Sequence, residues 1–186
     1  MVLRLFYIIV NMYDRSLFIQ GIGLLGTAAY LLSYQFKSNK YLFGCQIVSC
    51  SFYALHFFLL GAYTGFLSSF GSLLRACFLA SSIKSLHTKK ACIFVCLVQI
   101  TIGIITFEGW YSILPVTANT LLTIAGFANS SRQIRIVGIF VNSPLWIIYD
   151  VIVGSWAGII DEIITEISIL ISIFRYKLNK KEDIIK

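Results

Sequence analysis

Tyr53-Ala54-Leu55-His56-Phe57-Phe58-Leu59-Leu60-Gly61-Ala62-Tyr63-Thr64-Gly65 closes one long apolar run and opens the next. A second stretch, Trp146-Ile147-Ile148-Tyr149-Asp150-Val151-Ile152-Val153-Gly154-Ser155-Trp156-Ala157-Gly158, has the same form. The offset is 93 positions throughout: rings meet rings at Tyr53/Trp146, His56/Tyr149 and Tyr63/Trp156, and glycine meets glycine at Gly61/Gly154 and Gly65/Gly158. Each copy reads as an apolar segment, a very short turn and another apolar segment. Two such hairpins suggest an internally duplicated membrane protein. The competing reading is a chance likeness, since aromatics and glycines gather wherever membrane helices turn.

Composition makes lipid the solvent. The chain has 186 residues, 58% of them hydrophobic and 12% charged, with a mean hydropathy of +0.85. A soluble domain carries roughly 25% charged residues, so this chain cannot clothe a water-facing surface. The net charge of +7 is read as a bias toward cytoplasmic loops rather than as a nucleic-acid footprint. No nucleic-acid partner is expected. Cys45, Cys50, Cys77, Cys92 and Cys96 all lie inside apolar runs and form no CxxC pair. They read as small apolar fillers, and neither a metal nor a cofactor is expected.

Taken in order, Met1 to Val10, with Arg4 inside it, is apolar but too short to cross a bilayer, which needs about 20 residues, and it belongs to an N-terminal segment of residues 1–16. This segment is expected to lie at the interface, or to go untranslated if Met12 is the start. The spans are expected at Leu17–Phe36, Tyr41–Leu60, Gly65–Ile83, Ala91–Phe107, Trp110–Phe127, Ile134–Val153 and Trp156–Phe174. Gly21, Gly23 and Gly26 give the first span a small-residue face for close packing. The expected class is all-α: a polytopic membrane protein of seven transmembrane helices. Residues 17–83 form one three-helix repeat, 84–109 a linker helix with its loops, 110–174 a second parallel repeat, and 175–186 a basic tail.

Seven spans put the termini on opposite sides, and the basic residues then sort. One side takes Lys37 and Lys40, then Lys84, Lys89 and Lys90, then Arg132 and Arg135, then Arg175, Lys177, Lys180, Lys181 and Lys186, twelve of the fifteen. The other takes only Arg4 and Arg15, while Arg75 lies within a span. The positive-inside rule makes the twelve cytoplasmic, so the N-terminus is expected outside and the C-terminus inside. Tyr63, Trp110, Tyr111 and Trp156 at the outer turns suit an aromatic belt.

The three-one-three arrangement resembles SWEET and PQ-loop transporters, whose repeats run parallel, although the chain has no Pro-Gln pair. A closer resemblance is to the YgjV-type bacterial inner-membrane protein family. His56-Phe57-Phe58-Leu59-Leu60-Gly61 with Tyr63 and Arg75 resembles its first hairpin. Trp146, Gly154-Ser155, Gly158, Glu162 and Arg175 resemble its second, and Gln20-Gly21 with Gly23 the start of its first span. The resemblance covers roughly Met12 to Tyr176. The chain departs from the family pattern at Tyr149, Asp150 and Ser72, where His, Asn and Asn are expected. The resemblance implies a bacterial inner-membrane address and no particular activity.

The informative residues are those that lipid should exclude. An ionisable group at the bilayer centre costs at least ~2.5–3.5 kcal/mol. With about 1.5 Å of rise per residue, Arg75 falls roughly 15 Å past Gly65, and Glu162 and Glu166 about 12 and 18 Å past Gly154. Asn119 and Asn142 also fall near mid-depth. Two readings stand for Arg75. It pairs with Glu166 to lock spans three and seven together, or it joins Asn119, Asn142, Glu162 and Glu166 in a polar substrate site between the repeats. His56, near the outer turn, is a satisfied interfacial histidine or, with Asp161, part of a proton relay. Pro144 removes a backbone hydrogen bond and should kink span six, as a packing feature or as a hinge.

No catalytic triad, phosphate-cradling loop or metal cluster is legible, so an enzyme is not expected. The functional expectation is a SWEET-like small-solute transporter with a polar site between the repeats. The alternative is a non-transporting membrane scaffold or assembly partner. The expected partners are the bilayer and a small polar solute, with homo-oligomerisation left open.

Overall fold

The computed structural model describes residues 2–33, 39–81, 83–128 and 131–176, with side chains over 16–32, 44–81, 83–128 and 133–170. The basic loop at 34–38 and the tail from 177 lie outside the described residues. Within them the chain is all-helical with no strand. Seven long helices succeed one another: α1 Val2–Ser33, α2 Asn39–Leu60, α3 Tyr63–Ala80, α4 Lys89–Ile105, α5 Ile113–Phe127, α6 and α7. The sixth begins as Ser131–Val137, widens to a π-helical turn over Gly138–Asn142 and resumes as Ser143–Val153, and α7 is Trp156–Tyr176. Short 3-10 turns at Lys84–His87 and Trp110–Ser112 precede α4 and α5. Helix α1 is continuous from Val2, with no break at the boundary expected at residue 17.

Polarity runs inside out. His56 and Thr64 are fully buried and Asp150 is 1% exposed, whereas Ile104 and Phe140 are 73% exposed. Water would reverse this arrangement, because burying polar groups costs free energy and exposing large apolar ones gains none. Helices in lipid associate through small residues and interhelical hydrogen bonds instead, and both are present. Gly23 faces the Ala157 methyl on α7, and Gly103 faces Val116 on α5. Gln99 of α4 donates to Thr123 of α5 at 3.0 Å. The stretch Gln133–Val153, 21 residues with a mean hydropathy of 1.9, is long and apolar enough to cross a bilayer. Ser16–Leu32 and Gly44–Leu60 are apolar and shorter.

The two hairpins read from the sequence close in the same way. Gly61 and Gly154 are the described glycines with positive φ, 75° and 73°, a conformation that costs other L-residues steric strain. Ala62 N–H reaches back to Phe57 O at 2.9 Å, and Ser155 N–H to Asp150 O at 2.8 Å. This six-residue closure satisfies a carbonyl that a helix C-terminus would otherwise orphan. The next helix then starts at once, with Phe66 N–H on Ala62 O at 3.0 Å and Ile159 N–H on Ser155 O at 3.1 Å.

Helix α1 packs on α2 and α7, α2 on α3, α3 on α4 and α5, α4 on α5, α5 on α6, and α6 on α7. Cross-ties gather at the hairpin end. Gln20 of α1 clasps the second hairpin, donating to Gly154 O at 3.0 Å and accepting from Ala157 N–H at 2.9 Å. Thr64 of the first hairpin donates to Thr106 O at 2.6 Å and sits 3.2 Å from Ser112 Oγ at the start of α5. An aromatic cluster of Phe57, Trp146 and Tyr149 fills the space between them, with Phe57 and Trp146 stacked at 5.7 Å between ring centroids.

Candidate functional site: a polar cavity inside the bundle

Below that aromatic cluster lies a cavity of about 120 Å³. Its wall includes Arg75, Asn119, Asn142, Asp161 and Glu162, five of the residues singled out in the sequence. Glu166, His56 and Pro144 do not line it. The sequence reading missed Asp150, Tyr53, Ser72 and Thr165, which do.

Each polar group arrives by a local device. Pro144 has no N–H to give to the preceding turn. The helix absorbs this by widening, and Ser143 N–H donates to Gly138 O, five residues back. Such π-helical turns are a common accommodation and recur at functional sites. Asn142 ends the widened turn and lines the cavity. Asp150 stands in the last turn of α6 against Gly158 and Ser155, where a side chain at 158 would collide with its carboxylate. Asn119 is spent on packing: it donates to Ser68 O at 3.1 Å and accepts from Ser72 Oγ at 3.1 Å, tying α5 to α3.

The remaining groups are less well satisfied. Arg75 Nη1, Asn142 Oδ1, Asp150 Oδ1, Asp161 Oδ1, Glu162 Oε2 and Thr165 Oγ1 are all buried without a hydrogen-bond partner in the protein. All six belong to residues of the cavity wall. Native proteins leave few buried polar atoms unpaired, so six around one space make it the candidate site.

The expected lock between spans three and seven is corrected here. Arg75 makes no ion pair with Glu166 or Glu162 among the described residues, and its Nη1 has no partner. The helices carrying them pack elsewhere, α3 on α2, α4 and α5, and α7 on α1 and α6. The expectation rested on equal depth along the helix axes, which does not make two helices neighbours.

His56 sits outside the cavity, fully buried. One ring nitrogen lies 2.8 Å from Ile19 O of α1, and Nε2 lies 2.8 Å from Ser155 Oγ of the second hairpin. Tyr149, its counterpart by the offset of 93, accepts Gly65 N–H at 2.8 Å. Each ring thus reaches from one hairpin to the other.

The cavity wall follows the same offset. Ser49, Tyr53, Phe57, Ser69 and Ser72 line it, and so do Asn142, Trp146, Asp150, Glu162 and Thr165, each 93 positions further on. Asp150 already lay within the second hairpin stretch, opposite Phe57, and Thr165 lies beyond it, opposite Ser72. The two sets differ in chemistry. The first is hydroxyl and aromatic, whereas the second brings two carboxyls, beside a third from Asp161. No group of three or more His, Cys, Asp or Glu side chains among the described residues is placed to hold a metal ion. The five described cysteines are free thiols.

The family model Imp-YgjV, described as "Bacterial inner membrane protein", matches residues 17–180. No curated protein and no solved structure gives a significant match.

Proposed function

This chain belongs to the Imp-YgjV family of bacterial inner membrane proteins, and from that premise we propose that it is a small-solute transporter. In this reading α1–α3 and α5–α7 are two parallel repeats joined by α4, and the seven helices span the membrane with the N-terminus outside. The hairpins lie toward the outer face and the cavity is the solute site between the repeats.

One observation carries the reading: the cavity is lined at equivalent positions of the two halves and is ringed by unpaired polar atoms. A packing defect would collect apolar voids, not six orphaned donors and acceptors. The repeat is further supported by the matching closures at Gly61 and Gly154. It is supported too by exchanged helix contacts, since α1 packs on α7 as α3 packs on α5. The orientation rests on the twelve-to-two split of loop cations. The aromatic cluster and the His56–Ser155 and Tyr149–Gly65 contacts then act as an outer gate. The proposal includes no catalytic step.

The test is flux into proteoliposomes of the purified protein, screened over sugars, nucleosides, amino acids and organic cations. Saturable flux of one class is expected, with Glu162→Gln impairing it while leaving the melting temperature near that of the wild type. Flux no greater than that of empty liposomes for every class would sink the transporter reading and favour a scaffold.

A further inference from the structure

We infer that the solute is a small zwitterion, an ammonium and a carboxylate on one short skeleton, of the kind a small amino acid presents. The inference rests on the transporter reading above and deepens it. It starts from the sorting of charge on the cavity wall. Asp150, Asp161 and Glu162 come from α6 and α7, and Arg75 comes from α3. Each of the four ends in a buried atom with no partner in the protein. Asp150, 1% exposed, cannot turn to water. No ion pair joins Arg75 to Glu162 or Glu166, and the helices that hold the two signs pack on other neighbours. The cavity is therefore bipolar, and its two poles have not cancelled one another.

A ligand must answer both poles. A neutral sugar offers hydroxyls but brings no complementary charge to the ionisable groups of either pole in a low-dielectric interior. A simple amine satisfies the carboxyl side and leaves the Arg75 donor orphaned. A simple carboxylate suits Arg75, whose planar fork matches it, and then faces three acidic side chains. A zwitterion alone among these ligands brings a complementary group to each pole, a carboxylate to Arg75 and an ammonium to the carboxyl side. Its ammonium brings three donors to the carboxyl side, and the cavity is also lined by Tyr53, Phe57 and Trp146, rings of the kind that attract a cation. The cavity of about 120 Å³, on the order of four waters at ~30 Å³ each, suits a short skeleton.

The experiment compares L-alanine with ethylamine, propionate and glucose on the detergent-purified protein. Thermal stability and tryptophan emission are read, with Trp146→Phe as the emission control. L-alanine should stabilise the protein and perturb Trp146 at concentrations at least roughly ten-fold below those needed for any of the other three, a difference of ~1.4 kcal/mol. Arg75→Gln should bring L-alanine and ethylamine to near-equal affinity without abolishing the ethylamine response. Glucose or ethylamine matching L-alanine on the wild type would overturn the inference, and needs no variant to fold. So would a retained preference for L-alanine in Arg75→Gln. Flux keeps the two readings apart. Transport of glucose in preference to L-alanine overturns the zwitterion and leaves the transporter. Selective binding of L-alanine with no flux of any solute supports the zwitterion site and overturns the transporter.

Discussion

Gly61 and Gly154, 93 positions apart in sequence, hold the same left-handed backbone at φ 75° and 73°. Each lets a helix end and its successor begin two residues later, so each short hairpin depends on one residue without a Cβ. Neither site is crowded, since a Cβ built on either would meet nothing within 4 Å. The demand is purely one of backbone conformation.

Gly61→Ala and Gly154→Ala should therefore each destabilise the protein by ~1–2 kcal/mol, read as a fall in melting temperature in detergent. Asn at either position should cost less, because asparagine tolerates the left-handed region. Equal losses for Ala and Asn would mean that space, not conformation, governs the site.

Close packing distinguishes two other glycines. A Cβ on Gly23 would lie 2.5 Å from the Ala157 methyl, whereas one on Gly21 meets nothing within 4 Å. Gly23→Ala should overpack α1 against α7 and cost about 1–3 kcal/mol. Gly21→Ala should be neutral, or stabilising by up to ~1 kcal/mol through helix propensity. Similar melting temperatures for the two variants would show that α1 does not pack on α7 through Gly23.

Tyr149→Phe removes the acceptor of Gly65 N–H, a bond of 2.8 Å inside the aromatic cluster. Stranding a buried donor costs ~1–3 kcal/mol. The same loss should follow in lipid nanodiscs. A variant as stable as the wild type would show that Gly65 N–H finds another acceptor.

Arg75 and Glu166 should act independently. A double-mutant cycle of Arg75→Gln and Glu166→Gln, scored by melting, should give a coupling energy below ~0.5 kcal/mol, as for sites that share no partner. Rescue of Arg75→Gln by the second substitution would restore the ion pair that the helix packing argues against.

Topology has its own test. A reporter fused after Lys181 should read as cytoplasmic and one inserted within Ala62–Thr64 as external, given the twelve-to-two split of loop cations. A cytoplasmic signal from the second would overturn both the span count and the orientation.

The sequence by itself determined what is local or one-dimensional. Apolar runs made the helices, and glycines at a fixed offset located both hairpins. Polar residues inside apolar runs pointed to an interior polar site, because lipid excludes such groups. Five of the expected site residues do line one cavity. Depth, however, says nothing about which way a helix is turned or which helix stands beside it. That is why Arg75 and Glu166, expected at one depth, do not pair, and why Asn119 proved to be spent on Ser68 and Ser72. His56 is satisfied, as one of its two readings had it, but only the packing named Ile19 and Ser155 as its partners. Asp150 lines the cavity from the last turn of α6, just before the reversal at Gly154, and depth alone does not name it. The tertiary structure alone decided those neighbours, since they depend on how small residues let particular helix faces approach.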